Sequence, residues 1–119
     1  MIIVVLGIVA GALHGFFIPV ELPGAYTSYM SVALLAALDS VFGGIRADLE
    51  ETFDSHIFIS GFFGNVLIAT FLAFFGDRVG IPLYYAAIFT FGTRLFNNFA
   101  VIRRIVLNKI ENKYYKQEE

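Results

Sequence analysis

Asp39 and Arg94 are the residues of this chain whose type and position could do chemistry. Residues 22–38 carry no charge before Asp39, and Arg94 is the only charge between residues 79 and 102. A carboxylate or guanidinium in mid-membrane costs at least about 2.5–3.5 kcal/mol, so each calls for a partner. One acid and one base at matching depth could form an ion pair that removes most of both costs. Asn65 and Asn97 could fill the remaining hydrogen-bond capacity, and Asn98 and His14 complete the candidate intramembrane polar cluster. Such a cluster either locks a helical bundle or forms a polar site for an ion, a proton or a headgroup. His14 reads first as a neutral packing residue and second as a proton relay. Gly43 and Gly44 follow just past Asp39, where they could loosen a helix at a site or let two helices pack closely.

No other chemistry is encoded by motif. The chain has no cysteine, which excludes a disulfide scaffold, a thiolate metal site and a cysteine nucleophile. It has no HExxH, Walker loop or GxSxG, and its two histidines, His14 and His56, are too far apart for a local metal motif. No catalytic, cofactor-binding or metal-ligating residue is expected, and the chain reads as a non-enzyme.

The elements that must position Asp39 and Arg94 follow from composition. Of 119 residues, 58% are hydrophobic and 15% charged, with 14 phenylalanines and no tryptophan. The mean hydropathy is +0.75. A net charge of −2 offers no general basic surface for nucleic acid. About 20 apolar residues cross a bilayer core as a helix, and four segments approach this, spanning about residues 2–18, 28–48, 56–75 and 82–107. The expected fold class is therefore all-α, an integral membrane protein built as an antiparallel bundle of four transmembrane helices, with residues 109–119 as a cytoplasmic tail. The first segment lacks the basic n-region of a signal peptide. Turn chemistry marks the joints: Pro19, Pro23 and Gly24, a cap at Thr27 or Ser28, a cap at Asp54 or Ser55, and a tight Gly76–Gly80 connection before Pro82.

Six Lys/Arg residues (Arg46, Arg103, Arg104, Lys109, Lys113, Lys116) lie on one side of this topology and one, Arg78, on the other. That asymmetry places both termini in the cytoplasm. Arg46, Arg103 and Arg104 become interface anchors. Spans two and four then run the same way, and Asp39 and Arg94 both lie about 17–18 Å into them at 1.5 Å per residue. Small residues mark helix contacts in lipid. Gly7, Gly11 and Gly15 form such a stripe on span one and are expected to meet another helix of the chain. Gly43 and Gly44 serve on span two, where Leu34, Leu38, Val41 and Ile45 would face lipid, and Gly61 serves on span three.

Four blocks together resemble the bacterial small basic protein family. They are Leu38–Ala47 followed by Phe53, Phe58–Asn65, Leu83–Ala87 and Phe91–Arg104. The resemblance covers roughly residues 30–104. It implies a small multi-pass protein of the bacterial plasma membrane, encoded near cell-division and envelope genes, with no established biochemical activity. The expected role is an interaction or scaffold component of the envelope or division apparatus. Its partners would be membrane lipids and an envelope protein, with self-association left open. The alternative is a small oligomeric transporter or channel lined by His14, Asp39, Asn65, Arg94 and Asn98.

Overall fold

A computed structural model describes residues 2–119. It is all-α with four helices: α1 (Ile2–Phe17), a 3-10 turn (Gly24–Tyr26) leading into α2 (Thr27–Leu49), α3 (Ser55–Val79) and α4 (Tyr84–Glu118). Two of them are long and apolar enough to cross a membrane, Gly24–Leu49 and Ser55–Val79, rather than four. α1 has only 16 residues. The 35 residues of α4 are long enough but interrupted by Arg94, Asn97 and Asn98, and their last third is polar. α4 continues without a break through the expected tail.

Local chemistry sets the helix ends. Asp54 caps α3, its Oδ1 accepting from the backbone N–H of His56 at 2.9 Å and of Ile57 at 3.1 Å. α2 has no side-chain cap; neither Thr27 nor Ser28 supplies one. α3 does not stop at Phe75 but runs to Val79, where Gly80 turns left-handed (φ 73°). The Ile81 N–H then bonds the Gly76 carbonyl at 3.0 Å, closing the helix end. α2 ends the same way: Thr52 N–H reaches the Ala47 carbonyl and Glu51 N–H reaches Asp48. Here the left-handed position is held by Glu51 (φ 60°), a residue with a Cβ. Glu51→Gly relieves that conformation and should raise stability by about 0.5–1 kcal/mol, read as a higher melting temperature in detergent.

α2 is the central helix. It packs along both α3 and α4, while α3 and α4 meet each other far less. The core is made of small and medium side chains, Val32 and Ala36 of α2, Ala69 and Ala73 of α3, and Ala87 and Phe91 of α4. Four alanines in six positions let the backbones approach closely. Val41 is buried rather than turned outward. Tyr29 of α2 donates its hydroxyl to Asp77 near the end of α3, tying the opposite end of the bundle.

α1 stands apart from this core. None of its residues is buried, and a methyl group placed on Gly7, Gly11 or Gly15 would meet nothing within 4 Å. The glycine stripe therefore makes no helix contact in the chain. Val4, Gly7 and Ile8 instead border an apolar gap of about 300 Å³ shared with Val41 and α3. The spacing is that of a packing motif, but no helix lies close enough to use it.

Candidate functional site

The structure puts Asp39 and Arg94 side by side. α2 and α4 run parallel with α3 between them in sequence, so residues at similar depth become neighbours. Arg94 Nη2 lies 3.2 Å from Asp39 Oδ2. Asp39 is 0% exposed and the Arg94 side chain 53%, so the acid is enclosed and the base spans the boundary of the bundle. The guanidinium also lies 5.8 Å from the Phe91 ring centroid, within cation–π range. Among the described residues, none makes a well-directed hydrogen bond to either Asp39 oxygen. Arg94 therefore balances the charge of Asp39 without completing its hydrogen bonds.

The other polar residues do not join this pair directly. Asn65 donates to Ser40 Oγ at 3.2 Å, one residue from Asp39, rather than to Asp39 itself. Asn98 accepts from Arg46 Nη1 at 3.3 Å, and Arg46 Nε also pairs with Glu50 at 3.2 Å. Asn97 is exposed beside them and makes no side-chain hydrogen bond among the described residues. His14 lies on exposed α1, away from the cluster, and lines none of the cavities beside it. Arg103 and Arg104 are exposed further along α4.

The glycines divide by role. Gly44 is buried in α2. A methyl on Gly43 would sit in ordinary contact, 3.5 Å from Asn98 Nδ2. One on Gly61 would meet nothing within 4 Å, so Gly61 is not a packing glycine; it leaves room. The room is a cavity of about 200 Å³ between α2, α3 and their connecting loop, walled by Asp39, Gly43, Gly61, Asn65, Phe62 and Arg94 among others. A second, polar groove of about 450 Å³ lies between α2 and α4, lined by Gly43, Arg46, Ala47, Glu50, Arg94, Asn97 and Asn98. Arg94 stands between the two. No group of three metal-ligating side chains occurs among the described residues.

Sequence reasoning missed Ser40, Gly76 and the Tyr29–Asp77 bond. Ser40 sits beside Asp39 and one helical step round from it, which was the available signal. Nothing in the sequence marks Tyr29 for Asp77, 48 residues away.

Comparison with known proteins places these residues in a family. A family model described as protein of unknown function (DUF1290) matches residues 22–107, which hold α2, α3 and the site-bearing part of α4. The small basic protein of Bacillus subtilis is 51% identical over 105 residues, covering 88% of this chain and 87% of that one. The chain belongs to the small basic protein family. Uncharacterised proteins of Mycobacterium bovis and Mycobacterium tuberculosis are 40% identical over 96 residues, 79% of each chain. No solved structure matches. This member of the small basic proteins is itself slightly acidic, with 8 Lys/Arg against 10 Asp/Glu. Five of its eight Lys/Arg residues lie in the second half of α4.

Proposed function

We propose that this chain is a multi-pass protein of the bacterial plasma membrane, with both termini in the cytoplasm, that acts without catalysis by engaging a protein partner in the envelope or division apparatus. The observation that carries this is the length and register of α4. Keeping the Asp39–Arg94 register puts Arg104 level with Leu49, the end of α2. The helix from Ile105 to Glu118 then runs on for about 21 Å at 1.5 Å per residue. This extension carries Lys109, Lys113 and Lys116 together with exposed Leu107, Ile110, Tyr114 and Tyr115. Charge of both signs, the three lysines with Glu111 and Glu118, beside exposed aromatic and aliphatic surface is what a docking helix offers. The division and envelope setting comes from the likeness to the small basic proteins.

Membrane residence is supported by the outer surface. Ile57, Phe63, Leu67, Phe71, Phe89 and Phe96 are all exposed on the helices, far beyond what a soluble monomer carries as one patch. In the four-span arrangement α4 crosses with Arg94 beside Asp39 and Asn98 beside Arg46 of α2. α1 offers about 24 Å of helix against a core of about 30 Å, a difference that local thinning can absorb.

The chain has no native cysteine, so single cysteines report topology cleanly. Glu51→Cys and Lys116→Cys should label from the cytoplasmic side, and Gly24→Cys and Arg78→Cys from outside. Labelling of Lys116→Cys from outside would overturn the orientation. A photo-crosslinking residue at Tyr114 should form one discrete adduct with an envelope or division protein in cells. Adducts with lipid alone would count against the partner.

The cavity beside Asp39 favours a second reading, a small transporter or channel. Its enclosure against Arg94 favours a structural lock. Solute flux in proteoliposomes that Asp39→Asn abolishes without unfolding would decide for transport.

A further inference from the structure

We propose that the groove between α2 and α4 binds the phosphate of an anionic phospholipid headgroup; this rests on the membrane reading above and deepens it. The groove has a surplus of hydrogen-bond donors. Arg46 and Arg94 each present five guanidinium N–H groups. Arg46 uses two nitrogens, toward Glu50 Oε1 and Asn98 Oδ1, and Arg94 has one nitrogen near Asp39. The Asn97 and Asn98 amides add N–H groups that donate to no acceptor among the described residues. Against these the groove offers one carboxylate, Glu50, already engaged, and one free amide oxygen, on Asn97.

In water such donors are solvated at no cost. Along a membrane-spanning pair of helices they are not, and an unmet polar group there costs several kcal/mol. What satisfies them must accept several hydrogen bonds, carry negative charge and come from the membrane side. A phosphodiester does all three, and planar guanidinium groups bind its oxygens in pairs. The place fits the source. Arg46 lies in the last turn of α2, at the level of the headgroups, and Asn98, Asn97 and Arg94 step inward from it along α4. Gly43 lines the groove without a side chain, opposite the Asn98 amide. Basic pockets between helices on the cytoplasmic side are places where anionic headgroups settle.

The experiment uses the full chain in nanodiscs of phosphatidylcholine with or without phosphatidylglycerol. Bound lipid is counted by native mass spectrometry, and insertion is checked separately by flotation. Phosphatidylglycerol should be retained over phosphatidylcholine. Arg46→Gln and Asn97→Leu, which leave the Asp39–Arg94 pair intact, should each lower that preference by about tenfold, the effect of losing a charge-assisted hydrogen bond or its neighbour. Arg78→Gln, in the last turn of α3 at the opposite end of the bundle, should leave it unchanged.

Flotation with no phosphatidylglycerol preference would overturn the groove while leaving the membrane reading intact. Failure to float would overturn the membrane reading itself. A preference that survives both groove variants would place the lipid elsewhere. A change in oligomer mass without a change in lipid would make the groove a self-association face. Equal stabilisation by water-soluble glycerol 3-phosphate would overturn the lipid source and leave a soluble phosphate in its place.

Discussion

Arg94→Gln should be the most damaging single change to the site, lowering stability by about 3–5 kcal/mol, as when one side of a buried ion pair is removed. Asp39 is wholly enclosed, and none of the described residues hydrogen-bonds to it well. Taking away the guanidinium 3.2 Å from its Oδ2 leaves an enclosed carboxylate without its counter-charge. Asp39→Asn should cost less, because Arg94 is half exposed and keeps Phe91 beneath it. Removing both charges takes away the uncompensated group, so Asp39→Asn with Arg94→Gln should be more stable than Arg94→Gln alone. Denaturation of the four proteins in one detergent measures the coupling. Strictly additive losses would mean that the two residues contribute independently and that the pair is no lock. The result also bears on transport, since a lock that unfolds when opened is a poor gate.

Gly76→Ala should destabilise by about 1–3 kcal/mol or more, the cost of forcing atoms into a filled space. A methyl there would come within 2.5 Å of the Ile81 carbonyl oxygen and 3.0 Å of the Leu83 nitrogen. Both are backbone atoms of the α3–α4 turn and have no rotamer to move aside. The turn is held by the Ile81-to-Gly76 hydrogen bond and by left-handed Gly80, so relief requires opening the connection that sets α4 beside α2. Gly61→Ala and Gly64→Ala are the controls. A methyl at either position meets nothing within 4 Å, and alanine is favoured over glycine inside a helix by about 0.5–1 kcal/mol. Thermal melts should therefore fall for Gly76→Ala and hold or rise for the other two. Equal responses at all three positions would mean that the turn yields freely.

Chemistry that depends on near neighbours was legible in the chain itself. Long uncharged runs broken by Pro, Gly and Asp forecast four helices, because a helix satisfies its own backbone and needs only length and permissive residues. Asp54 as a cap follows from its place before an apolar run. Depth counting set Asp39 and Arg94 at one level, since rise per residue is constant along a helix. The helix ends were less legible: α3 runs past Gly76 and α4 past residue 108, because a glycine or a lysine permits a stop without enforcing one.

Tertiary structure alone decided which side chains meet. α1, α2 and α3 are apolar over most of their surface, so hydrophobicity marks no single inward face, and a glycine can serve contact or space equally well in the sequence. The Gly7-Gly11-Gly15 stripe has the spacing of an interface and a methyl there meets nothing within 4 Å, while at Gly76, read as part of a loop, it would come within 2.5 Å of backbone. Asn65 found Ser40 rather than Asp39, and Asn98 found Arg46, because rotation about each helix axis is set by packing against α2 and not by residue spacing. The sequence by itself thus determined that four helices form and that an acid and a base lie at one depth. The central place of α2 settled how those groups pair and where the cavity and the groove between them open.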